Sequence, residues 1–244
     1  MNVFDTKLAD HVKEHASLLN FLDRLDIALG IGDKTVREIC EEYDIDIYFF
    51  SELLQLITKK NEFNPRYIHK FNINHTVKYL RNSHHSYQTA YLPDLKSYID
   101  KLENLEEGRK KDCELLNKYF SDYRREFLEH LEYEDGNIFP YILELERSYT
   151  SGDPDSSLLK RVRENPISNY VKKHSSLDEQ LSDLKNLLIK YFKPFEHASV
   201  VRSLLKVLYE LENDLKLHEL IENQVLFPQV KIIEEKLIKN KIEK

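Results

Sequence analysis

Glycine and proline are scarce in this 244-residue chain, at five and seven copies. That leaves too few turn residues for an all-β sandwich of this length. Cysteine is scarcer still, with Cys40 and Cys113 as the whole complement. Two thiols make no disulfide framework, which points to a reducing compartment, and they are too few for the usual Fe–S or zinc-thiolate site. Basic residues are outnumbered, 36 Lys and Arg against 43 Asp and Glu, for a net charge of −7. Nucleic acid and anionic membranes both call for a basic footprint, so neither is expected as a partner. No uncharged apolar run approaches the ~18 residues of a membrane span, and the start, Met1 to Lys7, has no apolar signal core. A cytoplasmic protein is expected. Gly-rich phosphate loops and Gly-x-Ser-x-Gly are absent too.

What is present is a helical composition, 41% hydrophobic and 32% charged. Residues 1–62 read as a small helical domain. Leu8, Val12, Leu18, Leu19 and Leu22 recur at helical spacing, Asp33 or Thr35 caps a second helix, and a third runs from about Asp46 to Lys60. Residues 61–72 read as a linker, with Pro65 marking the boundary. From 73 to 240 the pattern changes to long helical segments near 74–105, 109–149, 166–192 and 198–240. Short breaks between long amphipathic helices favour antiparallel neighbours, hence an up-down-up-down four-helix bundle in an all-α protein. The third segment carries a stripe of Val171, His174, Leu177, Leu181, Leu184, Leu188 and Tyr191, which turns His174 toward the bundle interior. Pro93, Pro140 and Pro228 fall inside these segments and are expected to kink or end them.

The most informative pattern occurs twice. One copy reads His130-Leu-Glu-Tyr-Glu134-Asp-Gly-Asn-Ile138-Phe139-Pro140, the other His218-Glu-Leu-Ile-Glu222-Asn-Gln-Val-Leu226-Phe227-Pro228. The offset is 88 residues throughout (218 − 130, 222 − 134, 228 − 140). One His-x-x-x-Glu is common by chance; two in register, each followed by an apolar residue, Phe and Pro, indicate a duplication. Residues i and i+4 of a helix lie about 40° apart around the axis and about 6 Å along it. His130 therefore points with Glu134, and His218 with Glu222. Where both helices face the core, two imidazoles and two carboxylates converge. His174 supplies a third imidazole and His84 or His85 a fourth. Helical periodicity from Val77, Leu80, Tyr91, Leu95 and Tyr98 sits slightly nearer His84. The repeat spacing favours His85, because His85 precedes His130 by almost the interval that separates His174 from His218.

Four histidines and two glutamates match a dinuclear site. Each metal can take two imidazoles, each carboxylate can bridge, and an oxo or hydroxo bridge leaves one position open for a small molecule. Mixed imidazole and carboxylate ligation with an open position suits iron, with manganese behind it, better than structural zinc. The carboxylates offset two cations in a dry interior. Rival patterns fail: no histidine has Glu three residues before it, as ferritin-like sites require, and His218-Glu219-Leu-Ile-Glu222 lacks the second histidine of a zincin. His11 and His15 read as surface or packing residues, and His69, His75 and His197 are given no metal role. Glu126, one turn before His130, reads equally as a partner of a ligand or an acid–base group and as a salt-bridged glutamate. Tyr87 and Tyr133 lie near the ligand turns and are better read as packing.

On these residues the chain resembles the Repair of Iron Centers family of hemerythrin-like di-iron proteins. The resemblance covers nearly the whole chain and is most specific at the two His-x-x-x-Glu motifs with their Phe-Pro tails; His174 within Lys173-His-Ser-Ser-Leu177 fits the family's third-helix histidine. The family places its first-helix ligand seven residues before a Leu-Pro pair, so Leu92-Pro93 selects His85. The implied ligand set is His85, His130, Glu134, His174, His218 and Glu222. The family's small domain carries adjacent cysteines before a Gly-Gly; the matching stretch here, Ala28-Leu29-Gly30-Ile31-Gly32, has no thiol. The resemblance implies two oxo- or hydroxo-bridged iron ions and repair of iron–sulfur clusters damaged by nitric oxide or oxidants, through iron donation. Iron–sulfur proteins would be the acceptors, nitric oxide or oxygen the small ligand, and a homodimer fits. Reduction of nitric oxide or a peroxide, and oxygen or nitric oxide sensing, share the same motif.

Overall fold

The computed structural model describes residues 3–59, 71–173 and 178–242. They form an all-α protein with no strand among them beyond one isolated bridge between Lys7 and Thr35. The α-helices are α1 Leu8–Glu14, α2 Leu18–Arg24, α3 Val36–Glu42, α4 Ile47–Lys59, α5 Ile73–Ser86, α6 Leu92–Leu105, α7 Lys110–Tyr133, α8 Phe139–Ser151, α9 Ser156–Glu164, α10 Ile167–Lys173, α11 Asp178–Asn186, α12 Ala198–Ile221 and α13 Phe227–Ile242. Among the described residues no helix is long and apolar enough to cross a membrane. Two compact units emerge. One draws on the described residues within Met1–Ser83, Tyr141–Val171 and Leu220–Lys244, the other on those within His84–Pro140 and Lys172–Glu219.

In the first unit the expected stretch from 3 to 24 is two short helices, broken at His15–Ser17. Thr35, not Asp33, caps α3 through a capping box: Thr35 Oγ1 accepts from Glu38 N at 3.2 Å, and Glu38 Oε2 accepts from Thr35 N at 2.7 Å. Leu8, Leu18, Phe21, Leu22, Val36, Ile39, Phe49, Phe50 and Leu53 are buried together. Most of the expected linker, with Pro65, lies outside the described residues. Helix α9 was not anticipated; its Leu158, Leu159 and Val162 are buried on one face. Glu234, also buried, accepts from Tyr141 Oη at 2.6 Å and from Ile167 N at 2.8 Å.

The second unit is a bundle of four helical segments around one core. Its layers come from Tyr87, Leu95, Ile99 and Leu102; from Leu116, Phe120, Phe127 and Leu131; from Leu181, Leu184 and Leu188; and from Leu204, Leu208 and Leu211. Each such side chain stabilises the fold by about 1.5–3 kcal/mol relative to exposure. The third-segment stripe holds at Leu181, Leu184 and Leu188, but Val171 and Tyr191 at its two ends are exposed. At one end of the bundle the loop after α6 grips the loop before α12. Glu106 Oε1 accepts from His197 N at 2.7 Å and faces His197 Nδ1 at 3.0 Å. Arg109 donates to the carbonyls of Lys193 and Pro194 and lies over the Phe195 ring.

The prolines neither end nor sharply break their segments. Each follows a π-turn: Tyr87–Tyr91 before Leu92-Pro93, Glu134–Ile138 before Phe139-Pro140, and Glu222–Leu226 before Phe227-Pro228. Leu92, Phe139 and Phe227 donate to the carbonyls of Tyr87, Glu134 and Glu222, five residues back. A proline has no N–H for the carbonyl four residues back and its ring clashes with it. One extra residue in the turn moves that carbonyl aside and lets the helix continue. A fourth π-turn, Leu187–Tyr191, closes the third segment.

Candidate metal centre

Glu134 opens its π-turn and is fully buried, at 0% exposure. Its neighbours in space are histidines from other helices of the same unit. His84 Nε2 lies 3.3 Å from Glu134 Oε2 and 3.0 Å from His218 Nε2. The donor atoms of His84, Glu134 and His218 all fall within 4.8 Å of one another, the one such buried group among the described residues. The other carboxylate oxygen, Oε1, faces His130 Nε2 at 3.5 Å. Glu134 therefore stands between His84 and His130, one oxygen toward each. The His130 side chain is 24% exposed, so this is the edge of the cluster nearest solvent. The His84 ring stacks on Phe139, with centroids 5.4 Å apart, and buried Tyr87 sets its edge against His218.

The structure puts His84 in this cluster and His85 on the exposed side of α5, so the placement departs from the Leu-Pro spacing argument. Val77 and Leu80, two of the residues whose periodicity favoured His84, are buried like it, and so is Tyr87 one turn on. His174 lies outside the described residues. Glu222 is buried at the start of its own π-turn, within the other compact unit. Glu126 accepts from Gln180 Nε2 and lies 3.8 Å from Arg125, which is the salt-bridged reading. Tyr133 is exposed. Residue reading missed Asp135, whose Oδ2 lies 3.1 Å from His84 Nδ1. The only available signal was its position next to Glu134.

The donor set fits a transition metal. Two imidazole nitrogens and one carboxylate oxygen are the ligands borderline cations take. Bonds of about 2.1 Å to two ligands at a right angle would put the ligand atoms about 3 Å apart, close to the 3.0 and 3.3 Å seen here. Burial pulls the His84 pKa down, but the Asp135 and Glu134 carboxylates more than offset this and leave it above the usual histidine value. The same negative field that favours a proton on His84 favours a cation.

No family model matches the chain. It is similar to the iron-sulfur cluster repair protein ScdA of Staphylococcus haemolyticus, at 25% identity over 151 residues. That match covers 62% of this chain and 64% of the relative, so it spans a little under two-thirds of that protein. ScdA of Staphylococcus epidermidis is 23% identical over 68% of this chain and 69% of its own length. The iron-sulfur cluster repair protein YtfE of Salmonella paratyphi B is 23% identical over 199 residues, 81% of this chain and 83% of the relative. The likeness to iron–sulfur cluster repair proteins thus extends over 62% to 81% of the chain, at 23% to 25% identity.

Proposed function

We propose that this chain holds a non-haem dinuclear iron centre and serves in the repair of damaged iron–sulfur clusters, with iron–sulfur proteins as acceptors. The observation that carries the reading is the buried group of His84, His218 and Glu134, with the second Glu134 oxygen turned to His130. In this reading His84, His218 and Glu134 would hold iron, with His130 beside the second Glu134 oxygen as a further ligand. Glu222 joins the set on the duplicated motif alone, and His174 on its place in the third-segment pattern and the family resemblance. His84 replaces His85 because the former is buried among these donors and the latter faces solvent.

Bound iron would supply transferable metal and a redox-active position for a small ligand such as nitric oxide or oxygen. The chain's own contribution is a dry, anionic cradle. Its carboxylates would offset cationic charge, and its partly open edge lies at His130.

The test is iron transfer. Protein loaded with iron and mixed with an apo iron–sulfur protein and sulfide should restore the acceptor's cluster absorption. The variant Glu134→Ala, which loses the carboxylate between His84 and His130, should not. Iron that stays bound while the acceptor remains apo would contradict the reading.

A further inference from the structure

We propose that Asp135 is a positioning residue for His84: its carboxylate holds the ring proton on Nδ1 and so keeps the Nε2 lone pair facing Glu134 and His218. This rests on His84 being a ligand. A neutral imidazole carries one proton on one of two nitrogens, and only the bare nitrogen can bind a metal. The group opposite the other nitrogen therefore sets which tautomer is present and how the ring is turned.

Two consecutive carboxylates address the two edges of the His84 ring. Glu134 Oε2 is 3.3 Å from Nε2 and Asp135 Oδ2 is 3.1 Å from Nδ1. Neighbouring side chains on an ordinary α-helix diverge by about 100°. Here both lie in the π-turn Glu134–Ile138, whose wider winding brings them to one ring. Phe139, at the end of the same turn, stacks on the imidazole at an interplanar angle of 23° and fixes its plane. Asp135 sets its negative charge against the Nδ1 edge. A proton on Nε2 instead would sit between His84 and His218, 3.0 Å apart, and block the cluster. The Asp135 side chain is 35% exposed, so changing it leaves the core intact.

The experiment compares wild type with Asp135→Ala, Asp135→Asn and Asp135→Glu. In metal-free protein with 15N-labelled histidine, above the pH at which the ring titrates, long-range 1H–15N correlations report the His84 tautomer. Wild type should show Nδ1–H, Asp135→Ala should move toward Nε2–H, and Asp135→Glu should restore Nδ1–H. With iron-loaded protein, Asp135→Ala should release iron to a chelator about 10- to 100-fold faster, with the melting temperature of the metal-free protein unchanged. A wild-type ring protonated on Nε2, or an Asp135→Ala ring that stays Nδ1–H, overturns the proposal. If wild type holds no iron, the functional reading fails while the tautomer result still decides the role of Asp135.

Discussion

His84 and His85 are adjacent and chemically identical, yet they stand on different sides of α5. His84 is 1% exposed and meets Glu134 and His218, whereas His85 faces solvent. Val77 and Leu80 lie on one unbroken α-helix with His84, so this part of the periodicity pointed to it, whereas Tyr91, Leu95 and Tyr98 lie at or beyond a π-turn. The spacing to Leu92-Pro93 runs through the π-turn Tyr87–Tyr91, where counting residues no longer measures angle. Asp135 was illegible for a related reason: a residue next to a ligand ordinarily points about 100° away. Replacing each histidine separately is the matching test. His84→Ala should cost most of the bound iron, His85→Ala should leave it within about twofold, a margin a solvent-facing side chain allows; metal analysis of the purified variants reads both. Equal loss in the two variants would contradict the placement.

At the scale of the element, Phe-Pro endings and π-turns belong together. Pro140 and Pro228 withhold the N–H that an α-helix would need, and Phe139 and Phe227 bond five residues back, to the carbonyls of Glu134 and Glu222. The sequence showed that the prolines matter but not that the helix would widen instead of breaking, because proline alone does not choose between the two. Pro140→Ala supplies the missing donor and lets an α-turn compete. We expect stability to hold or to rise by up to about 1 kcal/mol in urea melts, while iron leaves the protein faster. Unchanged iron retention would mean the π-turn does not depend on the proline.

A second element-scale prediction concerns the grip of Glu106 on His197. Burial raises the Glu106 pKa, but the backbone N–H groups of His197 and Glu196 and the His197 ring more than reverse this and hold it below the ordinary carboxylate value. A carboxyl lowered in the fold stabilises it above the unfolded pKa, and that contribution is lost as pH falls through the folded pKa. Glu106→Gln should therefore cost about 1–3 kcal/mol near neutrality, and the difference from wild type should shrink in acid. Denaturant melts across pH measure it; a constant difference would contradict the ionised state of Glu106.

For the whole molecule, scarce glycine and long amphipathic stretches made an all-α bundle readable before any coordinate; the described residues of the four expected stretches are mainly helical, and the short α9 lies between the second and the third. Helix α9 escaped because it is only nine residues long and follows closely on a run of turn residues. The duplication made the candidate residues stand out: Glu134 and His218, one from each copy, share a cluster with His84, while Glu222 lies in the other compact unit. Metal that binds only the folded chain must stabilise it, by about 2.7 kcal/mol for each site at free metal 100-fold above its Kd. Chelation should lower the melting temperature of wild type and leave that of Glu134→Ala unmoved. The most direct test is the iron content and optical spectrum of protein purified without added metal. The account expects about two irons per chain, as in carboxylate-bridged di-iron proteins, with the absorption of an oxo bridge, both lost in Glu134→Ala. Wild-type protein that carries no iron and takes none up would contradict it.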